Sequence, residues 1–248
     1  MNFKQKIVLV ISLFALTYTT VKAQNEVTEN ICVDDIITNY HNAIGGLSEW
    51  RKVETLILYE KQLFSGTEIP TTIYMKKPQM YKMEIKFAGD NTVQAFDGET
   101  AWGIHPQSGG RATIASSLER NQIINQSKFY NRLLFYKEEG YVAELLSKQI
   151  VNERETYEIR LSKNLEEVFF YIDTQTYFLL LEKYLADTPG LENKFIELFY
   201  DDYSKEGNIM MYHSIKRVTS GVTNARWRIE RVEINTPLSD DIFRFPSR

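Results

Sequence analysis

The side chains best suited to proton transfer or metal binding at neutral pH are His41, His105 and His213. They stand far apart. None lies within four residues of another, and the single cysteine, Cys32, adjoins none of them. Zinc sites draw their ligands from short, regular spacings of these residue types, so no metal site and no cofactor are expected. His213 reads as a strand residue facing solvent or a neighbour. Ser48 lies closest to a nucleophile motif, in Gly46-Leu47-Ser48-Glu49-Trp50. The second glycine of the sharp strand-to-helix turn is missing, so Ser48 reads as a helix cap. Gly109-Gly110-Arg111 lacks the Gly-Lys-Ser/Thr that would cradle a phosphate and reads as a loop. Carboxylates adjoin at Glu166-Glu167, Asp201-Asp202 and Asp240-Asp241. Neighbours on a strand point to opposite faces, so none of these pairs forms an acid–base dyad. No catalytic residue is assigned, and the chain is read as a binding protein, not an enzyme.

The elements around these residues begin with an export signal. Lys4 and Lys6 precede a nearly unbroken apolar run, Ile7 to Leu16, and Val21-Lys22-Ala23 stands before Gln24. This order predicts a secretory signal cleaved after Ala23, leaving one domain over 24–248. The apolar run is shorter than the roughly 20 residues needed to span a bilayer. Glu29-Asn30-Ile31 ahead of Cys32 is no lipid-attachment box, so an unanchored product is expected. One cysteine makes no internal disulfide; Cys32 is expected as a buried or partly buried spectator. The chain has 29 Lys and Arg against 33 Asp and Glu. Cleavage removes Lys4, Lys6 and Lys22 and no acid, so 26 basic against 33 acidic residues leave a formal charge of −7. An acidic chain without a basic cluster is a poor partner for nucleic acid or an anionic membrane.

Local periodicity then alternates between helix and strand. Ile36, Ile37, Tyr40, Ala43 and Ile44 follow helical spacing, with Asp34 and Asp35 in the first turn and Gly45-Gly46 as the stop. From Val53 the period becomes two. Strands are predicted over 53–59, 69–76, 81–87, 93–96 and 100–104. Tyr81, Met83, Ile85 and Phe87 alternate with Lys82, Glu84 and Lys86, giving one apolar and one charged face. Asp97-Gly98 predicts a tight hairpin with both residues at positive φ. Ser116-Ser117-Leu118-Glu119 reads as a capping box opening helix over 116–136, ended by Gly140. Seven further strands follow, over 142–151, 155–161, 167–172, 177–185, 195–200, 209–218 and 226–234. The pattern is a meandering antiparallel sheet in one domain.

Three segments carry a family resemblance. They are Ile73-Tyr74-Met75-Lys76-Lys77-Pro78, the strand Tyr81 to Phe87, and Phe96-Asp97-Gly98-Glu99-Thr100-Ala101-Trp102. In that order they resemble the periplasmic lipoprotein-carrier (LolA/LolB-like) superfamily. Tyr157-Glu158-Ile159-Arg160-Leu161, Tyr171 to Tyr177, Val232 to Asn235 and Asp240 to Pro246 are similar to its uncharacterised exported members. The resemblance covers roughly 33–246. It implies an α+β fold: one strongly curved antiparallel sheet, an unclosed β-barrel, with helices covering the concave side. It also implies a concavity that holds lipid or the acyl chains of a lipoprotein. Carriers have Arg immediately before the proline, as a tether for the helical lid. Here that position is Lys77, which lacks the planar guanidinium fork. The chain also exceeds a minimal carrier in length.

On this reading Tyr81, Met83, Ile85, Phe87 and Trp102 form the apolar concave face, and Lys77 contacts the lid. The expected function is a periplasmic carrier or chaperone for lipid or acylated protein, acting as a monomer. A membrane-bound protein would be its donor or acceptor. The alternative is a sensor or interaction module that uses the same concavity.

Overall fold

The computed structural model describes residues 31–64, 66–186, 191 and 193–246. The expected signal over 1–23 lies outside them. Thirteen strands form one sheet, each pairing antiparallel with its neighbour. They are β1 (Thr55–Phe64), β2 (Thr67–Lys76), β3 (Met80–Phe87), β4 (Asp90–Phe96), β5 (Ala101–Ile104), β6 (Ala112–Ile114), β7 (Val142–Val151), β8 (Arg154–Lys163), β9 (Glu166–Asp173), β10 (Leu179–Leu185), β11 (Phe195–Glu206), β12 (Ile209–Thr219) and β13 (Val222–Ile234). Among the described residues the α-helices are α1 (Val33–Ala43), α2 (Leu47–Arg51) and α3 (Ser117–Gln126).

The strand order is β6-β5-β4-β3-β2-β1-β13-β12-β11-β10-β9-β8-β7. Two meanders therefore run outward from a central seam where β1 pairs with β13. β6 and β7 are the two edges and do not pair with each other, so the barrel stays open. The chain must pass from one edge to the other between 114 and 142. That crossing segment carries α3 and a run of turns, and it lies over the concave face.

The main core is made between the sheet's concave side and this cover. Ile36, Ile37 and Tyr40 of α1 and Trp50 of α2 join Ile123, Leu133 and Leu134 of the crossing segment. Inward residues of the strands, among them Leu56, Tyr81, Ile159, Phe170 and Met211, complete it. Polar links hold the cover together. Tyr136 Oη donates to Asp34 of α1 at 2.8 Å, and Asn131 Nδ2 donates to Tyr40 Oη at 2.8 Å. Arg51 of α2 pairs with Glu138 and lies 4.7 Å from the Phe135 ring.

Several local expectations need correction. α3 ends at Gln126 instead of running on to 136. Its first turn is capped by Ser116, whose Oγ accepts from Glu119 N, but Glu119's carboxylate pairs with His105 Nε2 at 2.8 Å instead of closing the box. Beyond α3, Asn131 Oδ1 captures the N–H of Leu133 at 3.1 Å, a local bond that competes with helical continuation. The Asp97 hairpin is not the two-residue mirror turn. Only Gly98 has positive φ, and Asp97 Oδ1 instead accepts from the N–H groups of Glu99 and Thr100 in a four-residue loop. True paired positive-φ turns occur at Asn152-Glu153 and Ser220-Gly221. Cys32 is exposed, at the N-cap of α1, with its thiol 3.0 Å from Asp35 Oδ2.

Candidate functional site

Between the sheet and its cover lies a cavity of about 1530 Å³. Ordinary small-molecule sites occupy roughly 300–1,000 Å³. Its floor is laid by alternate residues of neighbouring strands, because period two sends every second side chain inward. β1 contributes Leu56, Leu58, Glu60 and Gln62, β2 contributes Ile73 and Met75, and β13 contributes Trp227 and Ile229. Tyr200, Tyr203, Tyr212 and Ile215 line it from β11 and β12. Phe129, Tyr130 and Arg132 close over it from the crossing segment.

The expected concave-face residues divide. Tyr81, Met83 and Ile85 all line the cavity. Tyr81 Oη donates to Gln126 Oε1 of α3 at 3.1 Å, tying floor to cover. Phe87 keeps the phase of these residues but lies at the hairpin end opposite Asp90, 43% exposed and outside the cavity. Trp102 is a correction. Tyr81 pairs with Phe96, and Phe96 with Ala101, so these share the concave face. Trp102 pairs with Ala95, which pairs with Lys82, on the opposite face. There it is buried with Val93 and Ala95, and its indole N–H donates to the Phe243 carbonyl at 2.7 Å. The Phe245 ring meets it edge-on at 6.1 Å. Trp102 packs against the C-terminal segment and lies outside the cavity.

Lys77 reaches the cover from two sides. Its Nζ donates to the Arg51 carbonyl at the end of α2 at 2.7 Å and lies 5.9 Å from the Phe129 ring of the crossing segment.

Buried charge is the feature that sequence reasoning missed. Glu182 of β10 lines the cavity and is satisfied: Tyr200 Oη donates to it at 3.0 Å, and Arg132 lies at 3.4 Å. Arg132 also pairs with Glu166 at 3.0 Å, and Tyr141 Oη donates to Glu166 at 2.7 Å. Burial raises the Glu182 pKa, against the opposing pull of Arg132 and Tyr200. Glu60 has no such network. Burial alone pushes its pKa from 4.5 to about 7. A signal for Glu60 was present in the sequence, because it continues the phase Leu56, Leu58, Glu60, Gln62.

The residues with catalytic potential stay separate. His41 Nε2 lies 3.3 Å from the Leu133 carbonyl, and burial lowers its pKa. His105 pairs with Glu119, and the largely buried His213 meets Ser204 at 3.1 Å and Glu206 at 3.0 Å. Glu166 and Glu167 diverge to Arg132 and Arg160, and Asp240 and Asp241 to Lys76 and Arg244. Among the described residues, no group of three or more His, Cys, Asp or Glu could hold a metal ion. No described helix is long and apolar enough to cross a membrane.

No family model and no curated protein matches the sequence. Solved structures do match it. An outer membrane lipoprotein-sorting protein domain from Vibrio parahaemolyticus is 10% identical, covering 84% of this chain and 94% of that one, with a TM-score of 0.55. A LolA superfamily protein from Nitrosomonas europaea is 12% identical over 86% and 98%, with a TM-score of 0.56. A DUF1329 family protein from Desulfovibrio piger is 11% identical over 86% and 97%, with a TM-score of 0.58. At such identities the agreement lies in architecture: this chain has the LolA-like fold, a curved antiparallel half-barrel left open and covered by helices.

Proposed function

We propose that the protein is an exported periplasmic carrier or chaperone that sequesters lipid, or the acyl chains of an acylated protein, in its concavity. The observation that carries this reading is the cavity: about 1530 Å³, floored mainly by aliphatic and aromatic side chains and roofed by a separate chain segment. Burying an acyl chain there gains about 0.8 kcal/mol per methylene. That gain grows with chain length, so long apolar ligands are favoured over small metabolites. The roof is joined to the sheet and helices through buried Ile123, Leu133 and Leu134 and through exposed or half-exposed polar contacts such as Arg51 to Glu138. Exposed polar contacts of this kind are weak, so they add little to the cover's apolar hold. The vertebrae of the carrier reading, namely export and a membrane-bound donor or acceptor, rest on the signal pattern and the shared fold.

Native mass spectrometry of protein purified from its natural host tests the reading, with co-purifying lipid as the expected result. Met83 is half-buried on the cavity floor. Met83→Trp fills cavity space and should weaken binding of a fluorescent acyl probe at least tenfold, with little change in urea midpoint. A delipidated protein that takes up no acyl probe ends the proposal. Transfer of bound probe to acceptor vesicles distinguishes a carrier from a sensor that retains its ligand.

A further inference from the structure

One cross-strand row of the cavity floor is built differently from the rest. Glu60 of β1 pairs with Thr71 of β2, and Thr71 pairs with Ile85 of β3. On the other side a β-bulge shifts the register. Tyr59 faces Arg231 but Glu60 faces Ile229, leaving Glu230 unpaired. Directly paired residues share a face, so Ile229, Glu60, Thr71 and Ile85 form one line, and Ile229, Glu60 and Ile85 face the cavity. Bulges of this kind re-aim side chains beside binding sites.

Glu60 is 8% exposed and Thr71 4% exposed. Neither is satisfied. Glu60 forms no hydrogen bond or ion pair among the described residues, and burial is the sole influence on its ionisation. Thr71 Oγ1 is buried without a hydrogen-bond partner. The hydroxyls of Tyr81 and Tyr212 feel the Glu60 charge. Tyr81 spends its proton on Gln126. The contrast with Glu182 is direct. That carboxylate faces the same cavity and receives Arg132 and Tyr200. Buried polar groups are nearly always paired, and a largely buried carboxylate that meets only the cavity calls for a reason. A wholly apolar chain lying across this row would remove the remaining solvent from the carboxylate and replace it with nothing.

We propose that Glu60 is an anchor for a ligand whose apolar body carries a hydrogen-bond donor, a hydroxyl or an amine. An ionised carboxylate only accepts hydrogen bonds, so it selects donors and rejects groups that only accept. Leu58, Ile85 and Ile229 then hold the apolar body on either side. The inference rests on the lipid-binding reading and specifies the class of lipid.

The test is titration calorimetry at pH 8.5 with three probes of equal chain length: decanol, decylamine and methyl decanoate. Wild-type protein should bind at least one donor probe ten times or more tighter than the ester. Preference for decylamine alone identifies an amine; preference for decanol as well shows that a hydroxyl suffices. Glu60→Leu, which substitutes an apolar group of similar size, should abolish the preference while retaining the ester. Melting curves of the variant establish that it is folded. Equal binding of all three probes by wild-type protein, or a donor preference that survives Glu60→Leu, overturns the anchor and leaves lipid binding standing. Binding of none of the three overturns both.

Discussion

Glu60 makes a prediction that concerns stability alone. Its folded pKa, about 7, lies above its ordinary value of 4.5, because burial disfavours the charged form. The folded chain therefore holds a proton that the unfolded chain has released. The associated stability is complete below pH 4.5 and is lost as pH rises through 7. Relative to Glu60→Gln, wild-type protein should lose on the order of 2 kcal/mol between pH 5 and pH 8. Urea denaturation of both proteins across that range measures the difference, and a constant difference would reject the assignment. At the residue scale, the alternation of Tyr81, Met83 and Ile85 was legible, because a strand's two faces follow from sequence position alone. The face of Trp102 was not. It depends on which residue of β4 lies opposite, and the four-residue loop at Asp97 set that register.

Among the elements, the joint between α1 and the β11–β12 hairpin is a close backbone approach at Gly45. Gly45 has φ of +101°, and a Cβ there would press on the Asn208 carbonyl oxygen and on Ile209 Cα. Met210 N donates to the Ile44 carbonyl at 3.0 Å beside it. Gly45→Ala combines a strained dihedral with a backbone clash and should destabilise the fold by on the order of 3 kcal/mol. Gly140, also at positive φ, meets only the end of the Lys163 side chain, so Gly140→Ala should cost less. Chemical denaturation of the two variants side by side provides the check. The Gly45-Gly46 stop was legible as a C-cap; the contact that makes Gly45 irreplaceable was not, since it is formed with a hairpin distant in sequence. The strands were the most readable elements, because ten-residue alternations are strong local patterns. β6, at three residues, was too short to show one. The helix expected over 116–136 stopped at Gln126, for the reason that makes periodicity weak evidence alone. Its apolar residues pack as turns once Asn131 bonds its own neighbourhood.

At the scale of the molecule, the open barrel follows from connectivity. Each meander ends at an edge, and the 27 residues from 115 to 141 carry the chain between edges across the concave face. A ligand beneath that segment binds the folded state alone. A lipid at about 100 times its Kd should therefore raise stability by about 2.7 kcal/mol. The export proposal has its own test. Expression in a bacterial host with an intact secretion system should yield a mature protein beginning at Gln24 in intact-mass spectra, and a full-length mass with residue 1 retained would refute cleavage.

The sequence by itself determined every strand but β6, most of their apolar faces, the lack of a clustered catalytic motif along the chain and, through the order of a few short segments, the half-barrel fold. These are properties of neighbouring residues or of their order along the chain. Tertiary structure alone decided that β1 meets β13, that the crossing segment roofs the concavity, that Trp102 turns away from it, and that Glu182 is paired while Glu60 is not. Each of these depends on which distant residue arrives opposite, and a side chain's pattern in sequence says what it can bond, not what reaches it.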